Sequence, residues 1–126
     1  MGGFIRDVEY PDRVRLGETI VFTGYVRDDR GNPVAGEEVW LIEAKSGIEV
    51  DRTVTDEDGF FRLTYTPDKP GTYAFEIFTE QGERWPGIWY IYITVERIPS
   101  WAKKAIAISA IVGVGVALYK LLKKRR

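Results

Sequence analysis

Thr19-Ile20-Val21-Phe22-Thr23-Gly24-Tyr25-Val26-Arg27, followed at once by Asp28-Asp29-Arg30-Gly31-Asn32-Pro33, decides the fold class. The first nine residues alternate. Ile20, Phe22 and Val26 share one face, and Thr23 and Arg27 share the other, which is the period-two pattern of a half-buried strand. Gly24 falls on the apolar side, where a missing side chain is expected to let the facing sheet approach. The next six form a turn cluster whose Gly and Asn tolerate positive φ.

The same alternation of strand and turn continues outward. Val39–Ala44 and Ile48–Thr55 read as strands around a turn at Ser46-Gly47. Asp58-Gly59 is a hairpin signal between Val54 and Phe61. Phe61, Leu63 and Tyr65 then alternate with Arg62 and Thr64. Pro67-Asp68-Lys69-Pro70-Gly71 breaks the chain before Thr72–Thr79, and a loop with Gly82, Pro86 and Gly87 precedes Ile88–Glu96. With Phe4–Val8, about seven strands follow one another at the spacing of an all-β antiparallel sandwich. No helical period, βαβ spacing or glycine-rich nucleotide loop interrupts them.

The quoted strand belongs to a longer pattern. Leu16-Gly17-Glu18-Thr19-Ile20-Val21-Phe22-Thr23-Gly24-Tyr25-Val26 precedes Gly31-Asn32-Pro33-Val34-Ala35-Gly36-Glu37-Glu38-Val39. Later come Thr55-Asp56-Glu57-Asp58-Gly59-Phe60-Phe61 and Pro70-Gly71-Thr72-Tyr73. Over residues 12–97 this order resembles the bacterial and archaeal immunoglobulin-like modules, including the carboxypeptidase-regulatory-like (prealbumin-like) type. The resemblance implies an immunoglobulin-like sandwich of the kind used as a spacer, stalk or binding platform in surface, envelope and secreted proteins.

Composition excludes several chemistries. The 126 residues include no Cys and no His. That removes disulfides, thiolate nucleophiles, Cys- or His-based zinc sites and the commonest general base. Only three serines occur, Ser46, Ser100 and Ser109. Hydrolytic triads and redox centres are excluded, and a non-catalytic protein with no cofactor is expected. One Asn, one Gln and one Met beside abundant charge match the thermophile signature.

The formal net charge of −1 hides a segregation. Residues 1–97 carry all 19 acids and 11 bases, a balance of −8, and residues 98–126 carry seven bases and no acid. Nucleic acid is therefore not an expected partner, since the domain is acidic and its bases are scattered. The basic tail suits anionic lipid headgroups.

Ala105 to Tyr119 is an uncharged run of fifteen residues. As a helix it spans roughly 22 Å, and from Trp101 to Leu122 roughly 33 Å, enough for a hydrocarbon core of about 30 Å. Ile106, Ile108, Ile111, Val112, Val114, Val116 and Leu118 cover every side of a helical wheel, and a small sandwich cannot enclose such a helix. The expected organisation is a sandwich over 1–97, a juxtamembrane linker over 98–104, a transmembrane helix over 105–122 and a basic tail over 123–126. Trp101, Lys103, Lys104, Tyr119 and Lys120 are the expected membrane-interface anchors. Ala105, Ser109, Gly113 and Ala117 recur every fourth residue, a stripe suited to close packing of another transmembrane segment.

Five bases follow the run (Lys120, Lys123, Lys124, Arg125, Arg126) and three precede it nearby (Arg97, Lys103, Lys104). This bias places the C-terminus in the cytoplasm and the sandwich outside. The opening Met-Gly-Gly-Phe-Ile-Arg-Asp carries no secretory signal. An upstream segment, translocation without one, or a tail-anchored cytoplasmic domain would each account for it. Arg97-Ile98-Pro99-Ser100-Trp101 carries no recognisable sorting motif, so the tail reads as a permanent anchor.

Candidate sites are few. Asp56-Glu57-Asp58 and Asp28-Asp29 offer hard oxygens for Ca²⁺, but Asp-Gly is also what a tight turn needs, and turn chemistry is the expected role. The aromatic residues stand out more. Counted as one strand, Ile88–Glu96 puts Trp89, Ile91, Ile93 and Val95 on one face and Ile88, Tyr90, Tyr92 and Thr94 on the other. Trp40 and Ile42 oppose Val39 and Leu41, and Phe78 lies off the Tyr73/Phe75/Ile77 face. If these strands share a sheet, Trp40, Ile42, Phe78, Ile88, Tyr90 and Tyr92 form a second apolar face, the expected protein interface.

The expectation is a single-pass membrane protein whose immunoglobulin-like domain serves as a structural or accessory subunit of a larger membrane or envelope assembly. Its partners would be other membrane or envelope proteins, in hetero- or homo-oligomers, and the lipid bilayer. A lone adhesion or ligand-binding module, and a virion or envelope coat subunit, are the alternatives.

Overall fold

The computed structural model describes residues 3–97. Nine strands follow in chain order: β1 (Phe4–Glu9), β2 (Arg13–Arg15), β3 (Ile20–Arg27), β4 (Glu38–Glu43), β5 (Ile48–Val54), β6 (Phe60–Tyr65), β7 (Gly71–Thr79), β8 (Arg84–Trp85) and β9 (Ile91–Glu96). They form two sheets. One has the order β1-β3-β6, and the other runs β2-β9-β7-β4-β5 with β8 also pairing β7. Every pair is antiparallel except β2 with β9.

Alternation explains the packing. Ile20, Phe22 and Val26 of β3 are fully buried, and so are Val39 and Leu41 of β4, Phe75 and Ile77 of β7, and Ile93 of β9. Each such side chain taken out of water contributes about 1.5–3 kcal/mol before entropy is counted. The two sheets meet through aromatic rings. Phe22 meets Phe75 edge-on, with centroids 5.2 Å apart, and Tyr65 meets Phe75 at 5.6 Å. Edge-to-face is the arrangement favoured by the ring quadrupole.

Three elements depart from the sequence expectation. β2 and β8 were not expected as strands. A three-residue strand with one buried side chain, Val14, carries no readable period, and its parallel partner lies some eighty positions away in sequence. The Asp58-Gly59 turn is also not a hairpin, because β5 and β6 lie in different sheets. The chain arches across the sandwich there. Gly59 takes φ 76°; its carbonyl accepts the Val26 N–H at 2.8 Å, and a Cβ would sit 2.5 Å from the Val26 oxygen. Farther along the arch, the Asp51 carboxylate of β5 accepts the Thr64 N–H of β6 at 2.7 Å and stitches the two sheet edges together.

Gly24 makes room differently from the expectation. What lies over it is not the facing sheet but the ring of Phe61, its partner on the neighbouring strand β6. A Cβ at 24 would meet Phe61 Cζ at 2.6 Å and the Arg6 carbonyl at 3.2 Å. Phe61 is 1% exposed and has no free direction to retreat.

Gly24→Ala is therefore expected to lower stability by about 1–3 kcal/mol, the usual cost of overpacking. In urea the midpoint should fall with an unchanged slope. Adding Phe61→Leu should return part of that loss, because the two changes share one volume. A Gly24→Ala protein as stable as the parent would contradict this packing.

Candidate functional site

The outer face of the larger sheet carries the first half of the expected interface. Trp40 of β4 lies opposite Arg52 of β5 on one side and Phe78 of β7 on the other, and Phe78 in turn lies opposite Arg84 of β8. Ile42 stands opposite Glu49 and Glu76. So Trp40, Ile42 and Phe78 do share one sheet face, as strand pairing requires of residues two apart.

That face is not bare. The Arg52 guanidinium sits 5.5 Å from the centre of the Trp40 ring and holds Glu49 through two hydrogen bonds, at 2.6 and 3.1 Å. It reaches Glu38 at 3.4 Å as well. Arg84 pairs with Glu76 at 3.5 Å. These charged arms leave Trp40, Ile42 and Phe78 half-buried. The Trp40 indole N–H is itself buried with no acceptor among the protein groups.

The second half lies elsewhere and is exposed. β8 and β9 sit one after the other on the same side of β7, with Ile77 opposite Trp85 and Phe75 opposite Ile91. Between them Pro86–Tyr90 leaves the sheet. Pro86 has no N–H to offer the ladder, and Gly87 takes φ 94°. Ile88 is 86% exposed, Trp89 70%, Tyr90 45% and Tyr92 58%. Both ends of the loop are held. Trp85 turns inward against Tyr10, at 6.2 Å, and Ile91 is buried. The Tyr90 and Tyr92 rings stand perpendicular, at 89° and 6.3 Å.

Ile88 and Tyr90 therefore lie in a loop and not on the final strand, which begins at Ile91. Trp89, counted on one face with Ile91, Ile93 and Val95, is exposed whereas those three are buried. The signal was present in Pro86-Gly87: once the ladder breaks there, strand phase cannot be counted back through it. Residues 98–126 are outside the described part of the chain. So are Trp101, Lys103, Lys104, Tyr119 and Lys120, and the stripe Ala105, Ser109, Gly113 and Ala117. Among the described residues, no helix is long and apolar enough to cross a membrane.

The acidic turns use their oxygens internally. Asp28 Oδ1 accepts the N–H groups of Arg30 and Asn32, both at 2.9 Å, and the Gly31 N–H reaches the Asp28 carbonyl at 3.0 Å. Asp56 repeats the pattern with Asp58, Phe60 and Gly59. Thr79 does so in part, its hydroxyl accepting the Glu83 N–H at 3.1 Å and its carbonyl the Gly82 N–H. One five-residue turn, with Asp or Thr first and Gly fourth, thus occurs three times. Among the described residues no three carboxylates gather as a metal site would require.

Against this geometry, the carboxypeptidase regulatory-like domain model matches residues 21–85. The chain belongs to that family. Solved structures extend the likeness to the immunoglobulin-like sandwich. A 282-residue C-terminal fragment of intimin, in complex with the intimin-binding domain of the translocated intimin receptor, aligns at TM-score 0.57 and 15% identity, over 72% of this chain and 32% of that one. The Yersinia pseudotuberculosis adhesin InvE aligns at 0.53 and 22%, over 73% and 27%. The Lin-41 filamin domain aligns at 0.54 and 19%, over 76% of this chain and 98% of its own. The chain thus spans about a third or less of the two adhesin structures. At these identities the likeness is one of fold. No protein of curated function matches the sequence.

The Asp28 turn generates a pH prediction. Chiefly the Asn32 backbone N–H, with that of Arg30 and the Asn32 side chain, holds the Asp28 carboxyl below the ordinary aspartate range. A carboxyl lowered in the folded state stabilises fully above its unfolded pKa of about 3.9, and that contribution disappears as pH falls through the lower folded value. Carbon-detected titration should place the Asp28 midpoint below the ordinary aspartate value of about 3.9. Protection of the Asn32 amide should fall with it.

Proposed function

We propose that this chain is a non-catalytic, single-pass membrane protein whose immunoglobulin-like domain contacts other proteins of a larger membrane or envelope assembly. The observation that carries the contact role is the exposure of Ile88, Trp89 and Tyr90 in the loop between β8 and β9, with Tyr92 on β9 beside them. Large aromatic anchors held at both ends are the side chains that dominate protein interfaces. Trp40, Ile42 and Phe78 extend the same surface under their charged cover. The likeness to intimin and InvE supports the choice, since the intimin fragment is itself bound to another protein.

The anchor rests on the tail's sequence. An uncharged run apolar on all sides, with aromatic and basic flanks, fits a bilayer better than a protein surface. The five-to-three excess of bases after the run favours an external domain. Absence of His and Cys, with Asp28 and Asp56 committed to turns, supports a non-catalytic role.

A glycan-binding module is the second reading, because Trp89, Tyr90 and Tyr92 are exposed together. The perpendicular Tyr90 and Tyr92 rings do not make the coplanar platform on which a sugar ring stacks, so protein contact is favoured.

The full chain is expected to float with lipid vesicles and to resist alkaline extraction. Loss of the chain into the alkaline supernatant would remove the anchor. Gentle detergent extraction should bring partner proteins down in fixed ratio. Ile88→Asp with Trp89→Asp should abolish that association while shifting stability by only about 0.5 kcal/mol, as befits exposed positions. Gly113→Leu should weaken the same association from within the bilayer. Unchanged co-purification of the double variant would dismiss the loop as the contact.

A further inference from the structure

We propose that the partner of the Ile88–Tyr90 loop is a second copy of this chain, the two loops meeting with Tyr92 across a twofold axis. The inference rests on the protein-contact and anchor readings above and names the occupant that they leave open.

Charge comes first. The domain carries −8, so two copies repel wherever their charged surfaces approach. Pro86–Val95 is ten residues without a charge, the longest such run in residues 3–97. Its exposed part is where two copies meet without bringing acid against acid. An isologous contact also needs a patch that complements itself, and an uncharged apolar projection does so without setting like charges against each other.

Area points the same way. A fully exposed aromatic side chain offers about 150–250 Å². Ile88, Trp89, Tyr90 and Tyr92, at their observed exposures, leave on the order of 500 Å² in solvent per copy. Two copies together bury roughly 1,000 Å², the lower bound for a specific interface. Such a contact is weak between free molecules and sufficient between tethered ones. The chain outside the described residues supplies the tether. It continues directly from β9, and its residues 98–104 reach at most about 25 Å before the apolar run begins. Copies sharing one bilayer, with linkers this short, would meet at an effective concentration near the millimolar range.

The Cys-free sequence makes the test clean. Full-length chains carrying Arg84→Cys, two residues before the loop and outside the proposed contact, or Arg62→Cys are reconstituted in phosphatidylcholine vesicles and treated with a short bis-maleimide. Both positions are exposed, and Arg62 lies on the other sheet. The expected result is a covalent dimer from Arg84→Cys at several times the yield from Arg62→Cys. In detergent, Ile88→Asp should raise the dimer dissociation constant by on the order of thirtyfold, since it removes one apolar contact from each of the two copies. Equal yields at the two positions, or no dimer at either, overturn self-pairing. So does an Arg84→Cys adduct with a different protein in native membranes, and that outcome leaves the protein-contact reading standing. Failure of the chain to float with the vesicles removes the anchor and the tethered dimer together.

Discussion

The arch at Asp56–Gly59 is the constraint on which the sandwich depends. It carries the chain from the larger sheet to the smaller one, and it does so against the backbone of β3, with the Gly59 carbonyl on the Val26 N–H at 2.8 Å. There is no room for a Cβ at that point. Once the arch is seated, β6 must lie beside β3, which brings Phe61 over Gly24 and Leu63 beside Phe22. Asp51 then meets Thr64 at the edge, and the aromatic cluster around Phe75 closes between the sheets. A local turn motif thereby sets a long-range alignment.

The same motif accounts for the Asp and Gly of the acidic turns. Asp28 and Asp56 each use one carboxylate oxygen, Oδ1, for N–H groups two and four residues ahead, and Thr79 bonds the fourth with a neutral oxygen. What they share is the acceptor, not the charge. The proposed contact falls on the opposite kind of surface. The larger sheet presents a charged, self-paired face around Trp40 and an uncharged loop beside it. Arg52 and Arg84 shield the aromatic residues of the face, whereas nothing in the domain covers Ile88 or Trp89. The distinction between a shielded apolar face and an exposed one is a matter of which long side chains fold back over it.

Residue alternation alone was enough for the sandwich, for the strands from β3 to β7 and for the placement of Ile20, Phe22, Val26, Phe61, Leu63, Phe75 and Ile77 in the core, because a period of two assigns each side chain to a face without knowledge of partners. The absence of His and Cys was equally decisive for chemistry. The membership of one sheet by Trp40, Phe78 and Tyr92 was conditional in sequence and is settled by pairing. Three things needed the tertiary structure. β2 is too short to carry a period and exists only because β9 offers it a partner. Asp58-Gly59 has the same local chemistry whether it closes a hairpin or an arch, and only the seat beneath Val26 selects the arch. The exposure of Trp89 depends on where the ladder with β7 breaks and resumes, which is decided by Trp85 and Ile91 each finding a buried place on the same strand. Local pattern determines which face a residue takes; pairing across the chain determines whether that face exists.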